Sequence, residues 1–372
     1  MDGCDRKCPV KAQLKKPSIL VFLAVLFVLN NGCKSQSDKT AEIMSGIIKP
    51  ELFFQTREDV SDYSFPSARD IAFDSEDSFY IFDYFDNTIK KYNSNGEHLI
   101  TFGGKGQGAG EFTHLTGIRN VDDQLLAVDS VGLLSFNLDG HFLNKKSFAE
   151  EVLTEYPAIY GNGDFVGQQI HATELKVILT FRSSDGEEYD RLAFYDIREF
   201  FPEIDEGEDF FLSSEHARSY RYALDQKGDI LWAASDEFKI YRYHKGKSMV
   251  VISEDYSPIP YPAEEKEALL EKKAKIKPPL FLYVPDFYQL IFHLLVGPEG
   301  DIWIYLESME KIGFLRYSAQ GRLKGFYTVD AEFDVTEADQ IVHIHKNRMY
   351  FLVKGRKSLK IYAADLPGQP EI

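Results

Sequence analysis

Along most of the chain, hydrophobic and polar positions alternate in short runs. A period of two puts successive side chains on opposite faces of a pleated strand, so Arg69–Phe73, Phe79–Asp83, Thr88–Tyr92 and His98–Phe102 predict four consecutive strands. The segments between them, from Asp74 to Asp77 and from Asn93 to Gly96, carry the Asx and glycine chemistry of tight hairpin turns. The same pattern recurs downstream. An aromatic residue is followed by glycine four residues later at Tyr92/Gly96, Phe136/Gly140 and Tyr317/Gly321, and three residues later at Tyr243/Gly246. Tyr195 and Tyr362 read as the equivalent third-strand positions of two further units.

Successive aromatics of this series are 44, 59, 48, 74 and 45 residues apart. Four-stranded units at about 40–50 residues are the spacing of propeller blades. The fold expected is therefore all-β, a six-bladed β-propeller over residues 51–367, with insertions in the third blade and between the fourth and fifth. The early strand Leu52–Gln55 is expected to complete the last blade and close the ring, which removes exposed sheet edges. One helical pattern interrupts the strands, from Tyr261 to Lys277. Pro262 suits a helix start, Glu264 and Glu265 suit its positive end, and lysines fill its last turn before Pro278 and Pro279. The segment 255–283 is thus a short helical insertion, expected to form a lid or a partner-docking flap.

The N-terminus has a different pattern. A basic stretch ending at Lys16 is followed by an uninterrupted apolar run from Ile19 to Leu29 and then by Asn30, Asn31, Gly32 and Cys33. This is the order of a secretory signal, and the apolar run covers only about half of a bilayer. Gly32 and Cys33 resemble the lipobox of bacterial lipoproteins, with Asn30 where that family usually has leucine and Leu29 one place earlier. The resemblance implies a signal peptide over 1–32, a lipid on Cys33, and a flexible tether over 33–50. The cysteines are Cys4, Cys8 and Cys33, so the remainder of the chain has no thiol for a disulfide or a nucleophile. Lys34 after the cysteine favours the outer membrane, on its periplasmic or surface face.

Net charge is −17, and loss of residues 1–32 would take away three positive charges and leave −20. Such a surface repels phosphate backbones and argues against nucleic acid as a partner. The glycine run Gly103–Gly110 lacks the spacing, the lysine and the following helix of a phosphate-binding loop, and reads as a flexible inter-blade loop. No calcium-loop, zinc-protease or nucleophile-elbow motif is present. His343 and His345 stand two apart on the expected inner strand of blade six, and His293 on that of blade five. All three would have to point to the propeller axis to hold zinc or calcium. Polar residues at the starts of inner strands would ring the tunnel mouth: Arg69, Thr116, Tyr156, Arg218, Tyr220, Gln289 and Gln340. Of these, Arg69, Arg218, Tyr220, Gln289 and Gln340 are the expected ligand-binding residues, an arginine there being suited to a carboxylate or an anionic sugar.

Residues 68–112 also carry a family resemblance. Ile71 to Asp74, Tyr80 to Asp83, Ile89 to Tyr92 and the glycine-rich Phe102–Phe112 follow the NHL repeat, strand by strand. Other blades match loosely or only in strand order. The whole resembles NHL-type six-bladed propeller lipoproteins of bacteria, many without assigned activity. The expectation is an envelope-anchored binding or scaffold module, without catalysis or cofactor, for a protein, peptide or glycan partner at the tunnel-mouth face. Related lyases and lactonases imply an alternative, a metal-dependent lyase or lactone hydrolase with calcium or zinc on the axis. A second alternative is a structural subunit of an outer-membrane assembly.

Overall fold

The computed structural model describes residues 44–56, 68–152, 154–171, 173–202, 204, 211–213, 218–255, 259–276, 280–284, 286–306, 313–331, 340–354 and 359–367. The expected signal peptide, Cys33 and the start of the tether lie outside them. Within them, six antiparallel sheets follow one another along the chain. Blade one spans Ala68–Phe73, Phe79–Asp83, Thr88–Tyr92 and His98–Gly103, in agreement with the sequence pattern. The first strands of the blades are Ala68–Phe73, Leu115–Val121, Glu155–Ile159, Tyr220–Leu224, His293–Val296 and Gln340–His345. They touch one another in that order, and the sixth returns to the first. The chain is a closed six-bladed β-propeller.

Closure is made by the N-terminal segment. Glu51–Gln55 pairs antiparallel with Leu359–Asp365 as the outer strand of blade six. The Thr56 amide donates to the Leu359 carbonyl at 3.0 Å, and the Leu359 amide donates to the Thr56 hydroxyl at 3.0 Å. The chain then passes into blade one. A strand not anticipated from sequence precedes this one. Met44–Ile48 pairs parallel with Leu323–Val329 and gives blade five a fifth strand. It lies in the stretch read as tether. Among residues 45–48 of this strand, Ile48 alone is deeply buried while Ile47 is exposed, so no alternation is visible in the sequence.

The blades pack face to face through apolar wedges. Between blades six and one, Phe54, Ile71, Phe73, Phe79, Tyr92, Tyr350 and Ile361 form one cluster. Between blades one and two, Tyr80, Phe82, Phe112, Ile118 and Phe136 form another. The glycine run expected to be flexible is folded on itself. The Phe112 amide donates to the Gly104 carbonyl at 2.8 Å, and the Gly106 amide donates to the Phe112 carbonyl at 2.9 Å. A Cβ on Gly106 would stand 1.9 Å from the Glu111 carboxylate, so the glycine permits a close approach rather than motion.

Blade three departs from the sequence reading. Its third strand is Lys176–Arg182, and Tyr195 lies on the fourth, Glu188–Asp196. The extra residues therefore follow the blade, in the connection 197–219, instead of lying inside it. Both strands alternate with period two, and only their pairing tells them apart. The helix forms at Ala263–Lys275 with Pro262 at its N-cap, inside the expected span. None of its residues is buried.

Phe54 is 8% exposed, and its ring meets Phe79 at 5.3 Å and Tyr92 at 4.8 Å. Phe54→Ala should lower the free energy of unfolding by about 3 kcal/mol, whereas Ile47→Ala should change it by less than about 0.5 kcal/mol. Urea denaturation of both variants, read as midpoint shifts at constant slope, checks this.

Candidate functional site

Two regions hold the residues singled out by sequence: the mouth, where the inner strands begin, and the inner rim beside the axis. The mouth receives the connections from each outer strand to the next inner strand. In blade two this entry is fixed by Asp129 at the end of the second strand, which accepts from the amides of Thr113 at 3.1 Å and His114 at 2.6 Å. Ser235 plays the corresponding part in blade four, its hydroxyl accepting from the Ser219 amide at 3.1 Å. Asp83 ends the second strand of blade one, is fully buried, and lies 3.7 Å from the Lys90 ammonium.

Arg69 stands at the mouth with its guanidinium 4.6 Å from the centroid of the Tyr84 ring. Tyr84 in turn meets His114 edge-on at 5.2 Å. Beside them Phe85 is 74% exposed. A second set lies at blades four and five. Arg221 donates to the Gln289 amide oxygen at 3.0 Å and faces the Phe292 ring at 5.7 Å. Arg221 was not among the sequence candidates. It sits one residue beyond Tyr220, and strand alternation decides which of the two turns toward the entry of the next blade. The Tyr220 ring goes into the core, edge-on to Trp232 at 6.1 Å, while its amide donates to Gln168 at 2.7 Å.

The remaining candidates are dispersed. Arg218 makes an ion pair with Asp236 at 2.8 Å and lies 3.5 Å from Glu237. The Thr116 hydroxyl donates to the Val128 carbonyl at 3.0 Å. Tyr156 lies within the inner strand of blade three, and Gln340 opens that of blade six, opposite Val353.

The insertion is attached to the mouth face at several points. The Tyr261 amide donates to the Asp286 carbonyl at 3.0 Å, and the Tyr288 amide donates to the Ile259 carbonyl at 2.9 Å. The Tyr261 and Tyr288 rings stack at 3.9 Å. Lys266 pairs with Asp286, and the Tyr288 hydroxyl bonds to Glu265. Further on, Leu280–Leu282 forms a parallel ladder with Phe211–Ser213 from the connection after blade three. Tyr283 packs edge-on against Phe200 at 5.1 Å. The insertion is thus a stitched platform bearing an exposed helix, and it leads directly into Gln289.

Beside the axis, sheet geometry governs where polar groups go. The faces of each blade pack against neighbouring blades, and only the edge of its inner strand meets the axis. His343 and His345 do share a face, as their spacing requires, but that face is turned toward blade one. Both rings stack on Phe73, at 5.7 Å and 4.6 Å. His345 also bonds to Asp77 at 2.9 Å. His293 stacks on Tyr305 at 5.7 Å. Among the described residues, no three His, Cys, Asp or Glu side chains come together as a metal-binding group. The histidines do not fit the axial zinc or calcium set that the alternative requires.

Asp70 of blade one reaches across to blade two. Its carboxylate accepts from the amides of Ile118 at 2.9 Å and Ile71 at 2.8 Å. Gly117 makes room, since a Cβ there would stand 3.4 Å from Asp70 Oδ2 and 2.8 Å from Pro157. Arg119 of blade two likewise donates to the Ile159 carbonyl of blade three. Burial pushes the Asp70 carboxyl up to about 7, against the two amides that favour its charged form. Burial pushes the His343 imidazole down to about 4, aided by the charges of His345 and Arg119.

Comparison with known proteins agrees with the fold. No family model matches the chain, and no curated protein matches it. Solved structures do. An exported protein from Bacteroides fragilis superposes with a TM-score of 0.50 at 12% identity, covering 86% of this chain and 95% of its own. The calcium-binding protein regucalcin from Agrobacterium tumefaciens gives 0.48 at 10% identity over 88% and 98% of the two chains. Virginiamycin B lyase from Staphylococcus aureus gives 0.43 at 10% identity over 80% and 94%. What is shared with the Bacteroides protein is the fold. At these identities the likeness extends to architecture alone.

The shifts of Asp70 and His343 have opposite consequences for stability. Between its ordinary 3.8 and about 7, folded Asp70 holds a proton that the unfolded chain releases, so stability falls as pH rises through that window. Between 6.5 and about 4, folded His343 lacks a proton that the unfolded chain binds, so stability falls as pH drops. The two slopes oppose each other from about pH 4 to 6.5. Relative to the parent protein, Asp70→Asn should lose stability on acidification through this range, and His343→Gln should lose it as pH rises. Unfolding free energies at half-unit pH steps check both signs, and each relative slope should sum to a few kcal/mol.

Proposed function

We propose that this chain is a propeller anchored in the bacterial envelope by lipid on Cys33, which binds a protein, peptide or glycan partner at its tunnel-mouth face. Export and anchoring rest on the basic, apolar and Gly32-Cys33 order of the N-terminus. Among the described residues no helix is long and apolar enough to cross a membrane. The observation that carries the binding reading is the distribution of exposed aromatics at the mouth. Tyr84 is 38% exposed, Phe85 74% and Phe287 49%. Phe85 lies on a short mouth-side turn and Phe287 on the stem of the stitched insertion. Exposed aromatics beside positioned arginines suit recognition of a partner with apolar and anionic groups, because each supplies large contact area at small entropic loss. The helix above the stem adds a face that packs on nothing within the blade core. Connections of this kind vary without disturbing a scaffold, which makes them the place for recognition.

Three measurements test this. Photo-crosslinkers placed at Phe85 and at Leu270 of the helix should capture one defined envelope component in cells, whereas one at Lys227, on the opposite turns, should not. Equal yields from all three positions would contradict the proposal. Replacing 263–276 by a Gly-Ser linker should abolish capture and leave the melting temperature within a few degrees, since no helix residue is buried. Cys33→Ala should move the protein from the membrane to the soluble fraction. The metal-dependent alternative makes a contrary prediction: stoichiometric zinc or calcium, lost in a His293→Ala/His343→Ala double variant.

A further inference from the structure

We propose that the seam between blades six and one holds a second ligand site, on the face opposite the mouth, which takes a small aromatic carboxylate. The site is a cleft of about 200 Å³ lined by Phe53, Asp77, Ser94, His345, Lys346, Arg348 and Tyr350. That is the space of roughly six or seven waters, enough for one ring bearing a carboxylate and too little for a folded peptide. It is independent of the mouth-face reading, since it shares no residue with it.

Its walls are aromatic, and its polar lining includes two cations, Lys346 and Arg348, and one carboxylate, Asp77. The Phe53 and Tyr350 rings meet edge-on at 5.5 Å. The Arg348 guanidinium lies 5.9 Å and 5.8 Å from their centroids. His345 stacks on Phe73 at the inner end. Lys346 pairs with Asp77 at 2.6 Å, and His345 bonds to the same carboxylate oxygen at 2.9 Å. Burial pushes the Asp77 carboxyl up, and the stronger pull of Lys346 and His345 holds it below its ordinary value. Asp77 is thus committed to two partners. Arg348 has Asp365 at 3.3 Å, but that side chain is 87% exposed, so solvent screens the pair and a ligand carboxylate can replace it. The planar guanidinium fork matches a carboxylate with two parallel hydrogen bonds, and the flanking rings suit a flat apolar body. In a chain of net charge −17, the cleft sets Lys346 and Arg348 against Asp77 and Asp365, so its charges balance.

The corresponding turns of blades three, four and five put Gly163, Gly228 and Gly300 in the left-handed region. Blade one has Asp77 there, at φ 63°, and the turn of blade six has Lys346 at φ 50°. Blade two likewise has Asp122 and Asp123 in this region; of these charged turn residues, Asp77 and Lys346 are the two that line the cleft. A latch across the seam accounts for the Asp77–Lys346 pair. The wedge core accounts for the buried sides of Phe53 and Tyr350, but neither accounts for the open volume beside the Arg348 guanidinium.

Titration of the purified chain from residue 34 with benzoate, followed by calorimetry and by nuclear magnetic resonance shifts, tests the proposal. Benzoate should saturate one site with a Kd in the millimolar range or tighter, and neutral benzamide should bind at least about tenfold more weakly. Arg348→Gln should weaken benzoate about tenfold or more with a melting temperature near the parent, and Phe53→Ala should weaken it at an unchanged ratio to benzamide while lowering the melting temperature by a few degrees, because the ring also packs on Phe79. Arg348→Lys, which keeps the charge and loses the fork, should fall between parent and Arg348→Gln. The proposal is overturned by an absence of saturation, by equal affinity for benzoate and benzamide, or by benzoate binding retained in Arg348→Gln. Binding lost instead in Arg221→Gln would place the ligand at the mouth, and this too overturns it.

Discussion

A ring of sheets leaves the inner strand of every blade with one edge paired inside its own blade and the other turned to the axis. The backbone groups on that edge need partners, because a buried amide or carbonyl left alone costs on the order of a full hydrogen bond. Here the partner comes from a long polar side chain of the preceding blade. Asp70 serves the Ile118 amide, Arg119 the Ile159 carbonyl and Gln168 the Tyr220 amide. The same device recurs farther from the axis. Lys91 donates to the Leu138 carbonyl, Arg242 to that of Ala319 and Arg316 to that of Pro367. Each bond crosses from one blade to the next in the same direction around the ring. Apolar wedges supply the bulk of the stabilisation, and these directional bonds fix how each blade is rotated against its neighbour.

This constraint separates structural from functional charge. Polar groups beside the axis of a propeller invite a catalytic reading, and the displaced titrations of Asp70 and His343 would strengthen it. Yet Asp70 already accepts two amides, and His343 lies flat on Phe73. Their shifts follow from burial between blades, the same burial that holds the blades together. The groups at the mouth differ. Arg69 and Arg221 lie over aromatic rings at the ends of strands, at the entries to blades.

Blade one was legible almost residue by residue, because its turns carry Asx and glycine signals at fixed distances and its strands alternate cleanly. The helix was legible from Pro262, its acidic start and its lysine-rich end. The closing strand Leu52–Gln55 was also legible, but other features that depend on pairing escaped. Tyr195 reads as well on a third strand as on a fourth, since alternation has the same period on both. Met44–Ile48 and the short ladder between Phe211–Ser213 and Leu280–Leu282 are parallel pairings between distant segments, and no local turn announces them. The histidines show a further limit. Their spacing correctly places His343 and His345 on one face, but alternation does not say whether that face meets the axis or the next blade. Arg221 was missed beside Tyr220 for the same reason, in reverse.

The N-terminal segment solves a problem particular to closed rings. Blades one to six are joined by peptide chain in sequence, but the last has no such join to the first. Residues 44–56 provide one. They lie along blade five, then along blade six, and continue into blade one, so covalent chain crosses the final seam as it crosses the others. The hydrogen bonds between Thr56 and Leu359 connect residues 303 apart, and loop-closure entropy grows only with the logarithm of that distance. Closing the ring by a far terminus is therefore little costlier than closing a single blade. It also adds an outer strand to two sheets at once. The same strap carries Phe53 and Phe54 into the seam, where one ring lines the cleft and the other enters the wedge core. The feature that closes the fold thus also shapes a cleft on its turn face.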